Sequence, residues 1–196
     1  ARVLYDKGFN EYLEAAKLIK AQRNDVEFQL LGAIDSGNPS GVPQSVVEDA
    51  VSNGFINYLG TTSDVLPIIR EADCMVLPSY REGISRVLME AASMEKPIIA
   101  TNVTGCREVI NDGETGFLCK VKSPVDLAHK MAKIINMTEK EKVVMGQKGR
   151  VKVIEEMDLE KIIDVYDYKI AAVLGEEEGI TVDLQELISL RKTKKI

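Results

Sequence analysis

Short apolar runs alternate with longer stretches of helical spacing along most of the chain. Val3 to Tyr5 reads as the end of a strand, closed by a tight turn at Asp6-Lys7-Gly8. Between Phe9 and Gln22, the residues Phe9, Tyr12, Leu13, Ala16, Ile19 and Lys20 follow helical spacing with polar residues between them, which predicts an amphipathic helix. Val26 to Gly32 predicts the next strand, and Asp35 to Gly41 a long loop of turn-forming residues. Pro43 suits the first turn of a short helix running to about Asn53, followed by a third strand from Phe55 to Leu59. Ser63-Asp64 is expected to cap a helix through Arg70, with Val65, Leu66, Ile68 and Ile69 turned inward.

The segment from Cys74 to Ala92 organises what surrounds it. Cys74 to Leu77 reads as a buried parallel strand, broken by Pro78 and Gly83, and a helix is expected to start near Ser85. Further strands are expected at Pro97 to Thr101 and Gly116 to Cys119. Between them come a loop at Asn102 to Gly105, a helical turn at Arg107 to Ile110 and a turn at Asn111 to Gly113. Ser123-Pro124 pairs a cap with the favoured first-turn proline and predicts a helix to about Met137. Thr138 to Glu156 and Leu159 to Leu174 predict two more helices. Strands and helices alternating at this spacing imply an α/β fold with a doubly wound parallel sheet. The division expected is one domain over residues 1–156, with C-terminal helices and a tail over 157–196.

Composition narrows the function classes. The 196 residues are 45% apolar and 29% charged, the balance of a globular protein. A net charge of -6 argues against a dedicated nucleic-acid surface. Cys74, Cys106 and Cys119 are too widely spaced for a metal motif, and their odd number argues against a disulfide framework, so a reducing cytoplasm is expected. No apolar run reaches membrane-spanning length, and no signal peptide is visible. The chain opens in mid-pattern, which suggests a piece of something longer. The basic end Arg191-Lys192-Thr193-Lys194-Lys195 is read as solvated in preference to lipid-bound.

Candidate chemistry gathers where the Cys74–Leu77 strand passes into its helix. The first amides of a helix lack internal partners, so a strand, a glycine-bearing turn and a helix N-terminus form a ready anion site. Glu82 and Glu90 bracket that helix start. Carboxylates suit a ligand that also carries hydroxyl groups, as a phosphorylated sugar or nucleotide-sugar does. The plainer readings are an Arg86–Glu90 surface pair and a Glu82 that simply caps free amides. Arg2 and Lys7 flank the first strand-to-helix turn, at the same edge of the sheet, where they could meet a diphosphate held by the amides of Gly83, Ile84 and Ser85. No G-x-G-x-x-G or G-x-x-x-x-G-K-[ST] is present, which removes the dinucleotide and P-loop fingerprints. His129, the one histidine, lies among apolar residues and reads as structural.

The run Glu82-Gly83-Ile84-Ser85, followed after three residues by Met89-Glu90-Ala91, resembles the Glu-x7-Glu motif of the retaining family-4 glycosyltransferases, which have the two-domain GT-B fold. Ala1 to Gly8, Tyr58-Leu59-Gly60, Asp73 to Pro78, Pro97 to Thr101, Gly105 to Glu108 and Asp112 to Phe117 are similar to further family segments in the same order. The resemblance covers about residues 1–170, and its wording looks nearest to bacterial members that build capsule, lipopolysaccharide or lipid-linked oligosaccharide. It implies a UDP-sugar donor, less often a GDP-sugar, and no metal or other cofactor. By position, Arg2 and Lys7 would hold the diphosphate, Glu82 the sugar hydroxyls and Glu90 the ribose. Gly83, Ile84 and Ser85 would meet sugar and phosphate, while Tyr58, Leu59, Gly60 and Thr61 would lie near the base.

The family's N-terminal acceptor domain is not in this sequence, so a donor-binding half, inactive alone, is expected. With that domain absent, Ile162, Ile163, Tyr166 and Ile170 would be partly exposed or buried in a dimer. The full-length protein would be cytoplasmic, with peripheral inner-membrane association. Two other readings stay open at this point: an epimerase-like GT-B enzyme, and a non-enzymatic α/β interaction module.

Overall fold

The computed structural model describes residues 2–35, 37–158, 160, 163–164 and 166–168. The chain divides into two compact units, residues 1–155 and 156–196. In the second, the described residues 160, 163–164 and 166–168 are helical, and Tyr166 and Tyr168 are exposed. Ile162 and Ile170 lie outside the described residues, as do the residues of the basic end.

In the first unit the expected alternation is present. Helix α1 (Phe9–Lys20) is followed by β1 (Gln29–Leu31), α2 (Gln44–Ser52), β2 (Asn57–Gly60), α3 (Leu66–Glu71) and β3 (Met75–Leu77). Then come α4 (Arg86–Ser93), β4 (Ile98–Thr101), α5 (Thr104–Val109), β5 (Gly116–Cys119), α6 (Pro124–Asn136) and α7 (Glu139–Glu156). Every named strand pair is parallel: β1 with β2, β3 with β4, and β4 with β5. The ladders form two sheets, β1-β2 and β3-β4-β5. Strand β4 is central and buried along its whole length, as its unbroken apolar run Ile98-Ile99-Ala100 requires. On one face α1 and α6 pack together, and on β3 and β4 sits α4, which also touches α5. Phe9, Leu13, Ala16, Leu127, Met131 and Ile99 belong to one buried cluster, so helices and sheet share a core.

Several boundaries differ from the sequence reading for local reasons. Val3 and Leu4 form only single bridges, parallel to Ile34 and antiparallel to Gly41, and Tyr5–Lys7 tightens into a 3₁₀ turn. The expected four-residue inward face of α3 is not made. That helix has only six residues, Ile69 alone is buried on it, and Leu66 is exposed. Its start is fixed by Asp64, whose Oδ1 accepts from the Leu66 N–H at 3.0 Å. The expected loop at Asn102 to Gly105 is shorter, because α5 already begins at Thr104. The Ser123 cap acts as read, and a second N-terminal signal, at Thr138, appears only in the structure. Ser123 accepts from the Asp126 N–H at 3.3 Å, and Thr138 and Glu141 form a reciprocal capping box, with Glu141 accepting from the Thr138 N–H at 2.7 Å.

Candidate functional site

The turn after the first bridge and the loop after β3 are locked together by close backbone approach. Gly8 has φ 79°, and a Cβ built on it would lie 2.1 Å from the Pro78 carbonyl oxygen. Glycine is required there twice over, for the left-handed conformation and for the space. Gly105 does the same on the other side of the loop: a Cβ there would lie 1.8 Å from the Gly83 carbonyl oxygen. The loop from Pro78 to Ser85 is therefore held between the start of α1 and the start of α5.

Hydrogen bonds finish the clamp. The Tyr80 N–H donates to the Asp6 carbonyl at 2.9 Å. Ser79 is fully buried, its hydroxyl donates to the Arg81 carbonyl at 3.0 Å, and its own carbonyl accepts from the Thr101 hydroxyl. Tyr80 donates to both carboxylate oxygens of the buried Glu11, at 2.8 and 2.9 Å. Glu11, Thr101 and the spacing role of Gly105 were not read from the sequence. The one available signal was a carboxylate, Glu11, on the otherwise apolar side of a short helix. Asp6 Oδ1 is buried without a hydrogen-bond partner, the one such side-chain atom among the described residues, so this clamp carries an unsatisfied acceptor.

Within the clamp the structure brings Lys7 and Glu82 together. Lys7 Nζ lies 2.8 Å from Glu82 Oε1, with side-chain exposures of 30% and 13%. Arg2 is turned to Asp35, at 3.0 Å, with its side chain 59% exposed. Glu90 takes the plainer of its two readings and pairs with Arg86 at 3.0 Å along the helix. At the N-terminus of α4, Ser85 is 5% exposed and makes no side-chain cap, and the first turn carries no acidic residue. Ile84 is 56% exposed, so the loop crest above those amides opens to solvent. The site thus offers uncapped helix amides with one cation and one carboxylate beside them, a pattern suited to an anion bearing hydroxyl groups. The Tyr58 to Thr61 segment closes β2. Tyr58 spends its hydroxyl on the Gly32 carbonyl at 2.8 Å, and Gly60 turns left-handed at φ 72°.

Nucleophile chemistry is not supported by the thiols. Burial pushes Cys74 and Cys119 up to about 12, and burial together with the Glu82 charge pushes Cys106 up to about 11. Burial and Glu11 likewise push Tyr80 up to about 12. Among the described residues no cluster of three or more His, Cys, Asp or Glu side chains could hold a metal ion. No helix among them is long and apolar enough to cross a membrane.

These shifts make a prediction about alkali. Each group has a folded pKa above its unfolded value, so its contribution is complete below the unfolded pKa and is lost as pH rises through the folded one. Stability is expected to stay level to about pH 8 and to fall from about pH 9 towards pH 12. Thermal unfolding followed by circular dichroism between pH 7 and pH 11 checks this. An unchanged midpoint at pH 11 would contradict it.

Comparison with known proteins places this geometry. Residues 1–137 match the family described as Glycosyl transferases group 1. An N,N'-diacetylbacillosaminyl-diphospho-undecaprenol alpha-1,3-N-acetylgalactosaminyltransferase from Campylobacter jejuni is 32% identical over 135 residues, covering 69% of this chain and 34% of its own. The capsular polysaccharide biosynthesis glycosyltransferase CapM of Staphylococcus aureus is 28% identical over 178 residues, covering 91% of this chain and 46% of its own. The chain therefore spans about a third to a half of the length of these relatives.

Among solved structures, Anabaena Alr3699/HepE in complex with UDP superposes with a TM-score of 0.77 at 19% identity, covering 88% of this chain and 47% of that one. The C-terminal domain of a group 1 family protein (LpcC) from Francisella tularensis superposes with a TM-score of 0.68 at 24% identity, covering 81% of this chain and 83% of that one. These likenesses establish the α/β fold of the GT-B glycosyltransferases. With the family match running over more than half its length, the chain belongs to the group 1 glycosyl transferases.

Proposed function

We propose that this chain is the donor-binding half of a retaining glycosyltransferase that takes a UDP-sugar and needs no metal ion. The observation that carries the reading is the Lys7–Glu82 pair, 2.8 Å long, set beside the uncapped N-terminus of α4. A diphosphate laid over that helix end would accept hydrogen bonds from the amides of Gly83, Ile84 and Ser85 and meet the Lys7 ammonium. Glu82, on the other side of that ammonium, would accept from hydroxyls of the donor sugar. Glu90, exchanging its Arg86 partner, would accept from the ribose, and the segment Tyr58, Leu59, Gly60 and Thr61 would border the base. Arg2 would swing from Asp35 to the diphosphate. Exposed ion pairs of that kind hold by about 0–1 kcal/mol, so the exchange costs little. When the bond from sugar to diphosphate breaks, negative charge grows on the phosphate, where Lys7, Arg2 and the α4 dipole would offset it in place of a metal ion.

The names of the relatives support a hexose or N-acetylhexosamine donor and a product in polysaccharide or lipid-linked oligosaccharide synthesis. The structural neighbour Anabaena Alr3699/HepE is seen in complex with UDP and with UDP-glucose. The acceptor half, a cytoplasmic setting at the inner face of the membrane, and dimerisation through the residues around Tyr166 complete the proposal. Titration calorimetry tests the donor reading. UDP should bind, and uridine about tenfold or more weakly, because charge-assisted hydrogen bonds to the diphosphate are worth about 1.5–3 kcal/mol each. Absence of UDP binding at millimolar concentration by the folded protein would overturn it.

A further inference from the structure

Tyr80 is gripped from three sides, by groups that are not among those assigned to the donor. Its N–H donates to the Asp6 carbonyl at 2.9 Å, one residue before Lys7. Its hydroxyl donates to both carboxylate oxygens of Glu11, at 2.8 and 2.9 Å. Lys122 Nζ stands 4.9 Å from the centre of its ring. The three contacts come from the 3₁₀ turn, from α1 and from the turn between β5 and α6, and they meet on a residue two positions before Glu82.

The arrangement is a charge chain with an aromatic ring in the middle. Glu11 is 8% exposed, and a carboxylate so buried needs donors or a cation. Among the described residues it forms no ion pair, and the phenol serves both of its oxygens. Lys122 forms no ion pair among them either, and its charge rests on the negative face of the ring. An ammonium on one side polarises the phenol and strengthens its O–H as a donor on the other. Lys122 also sits at φ 58°, a left-handed conformation that disfavours an L-residue and suits glycine. The ring contact is therefore held against backbone strain.

We propose that Tyr80, Glu11 and Lys122 are positioning residues for the donor, a latch that fixes the Glu82 loop against the Lys7 turn without touching the ligand. The inference rests on the donor-binding reading above. Beyond Tyr80 the loop runs through Arg81, Gly83 and Ile84, all exposed, so little packing holds its crest. One flank of the crest rests on Gly105, where a Cβ would lie 1.8 Å from the Gly83 carbonyl oxygen. The other flank is held through Tyr80, and it carries the Glu82 that meets Lys7 at 2.8 Å. With the latch released, Lys7, Glu82 and the amides of Gly83 to Ser85 would have to be brought into register at each binding event, which weakens affinity.

Calorimetry with UDP, thermal unfolding and amide hydrogen exchange on four variants test this. Tyr80→Phe keeps the ring and its cation but removes the bond to Glu11. It is expected to weaken UDP by about fivefold. It should also speed exchange of the amide at position 80, relative to that of Ile99, by about tenfold. Glu11→Ala should match it, and Glu11→Gln, whose amide oxygen still accepts from the phenol, should recover affinity to within about twofold. Lys122→Gly separates positioning from stability. Glycine relieves the left-handed φ, which offsets its greater freedom in the unfolded chain, so the melting temperature should stay within about 3 °C. UDP affinity should nonetheless fall by about threefold, with faster exchange at position 80. A Tyr80→Phe chain that melts lower yet binds UDP unchanged would show a purely structural contact and overturn the proposal. A Lys122→Gly chain that loses affinity with exchange unchanged would place Lys122 on the ligand itself and overturn it equally. If the unsubstituted chain binds no UDP, the donor reading has failed, and exchange alone decides the latch: an unchanged ratio in Tyr80→Phe overturns it.

Discussion

Gly8→Ala is expected to destabilise the chain by about 2–5 kcal/mol. The left-handed φ of 79° costs an L-residue roughly 1–2 kcal/mol, and a Cβ 2.1 Å from the Pro78 carbonyl forces backbone to move, at about 1–3 kcal/mol more. Because the atom in the way is a backbone oxygen, no side-chain rotation relieves it. The movement would separate the Lys7 turn from the Glu82 loop, so nucleotide binding should fall with stability. Urea unfolding measures the first effect, and a loss below about 1 kcal/mol would show that the two segments are not in the contact described.

Lys7→Ala is expected to weaken UDP binding by about ten- to a hundredfold. A charge-assisted hydrogen bond to phosphate accounts for about 1.5–3 kcal/mol, and the substitution also strands Glu82, whose side chain is 13% exposed, without its cation. The complementary change separates the two roles. Glu82→Gln should leave UDP affinity within about threefold and weaken a UDP-sugar by about tenfold, since only the sugar-bearing ligand offers hydroxyls to that carboxylate. Calorimetry on both variants with both ligands reads the four numbers. Equal losses for UDP and UDP-sugar in Glu82→Gln would place Glu82 on the phosphate side instead.

The repeating element pattern was legible because it rests on local signals. Apolar runs such as Ile98-Ile99-Ala100, the Ser123-Pro124 cap and the periodicity of α1 each state their own structure. The loop from Pro78 to Ser85 was legible as a break and a helix start, and α4 does begin at Arg86, directly after that loop. What escaped were long-range contacts that no spacing encodes. Nothing in a glycine at position 105 says that its missing Cβ leaves room for the Gly83 carbonyl. Nothing in Glu11 says that it will be buried under the Tyr80 hydroxyl. The division into two sheets was likewise not legible, because Val3-Leu4 carries the apolar character of a strand yet forms only single bridges. Arg2 and Glu90 show the remaining gap. Position along the chain set them near the site, while their partners, Asp35 and Arg86, follow from side-chain packing that only the structure displays.

The most direct test of the donor-site account is an amide-resolved NMR titration of the isotope-labelled chain with UDP. The account predicts that the largest shifts fall on Gly83, Ile84, Ser85 and Lys7, with the amides of α7 unmoved. Saturating UDP that leaves the Gly83 to Ser85 amides unshifted, or that shifts only residues distant from α4, would contradict it.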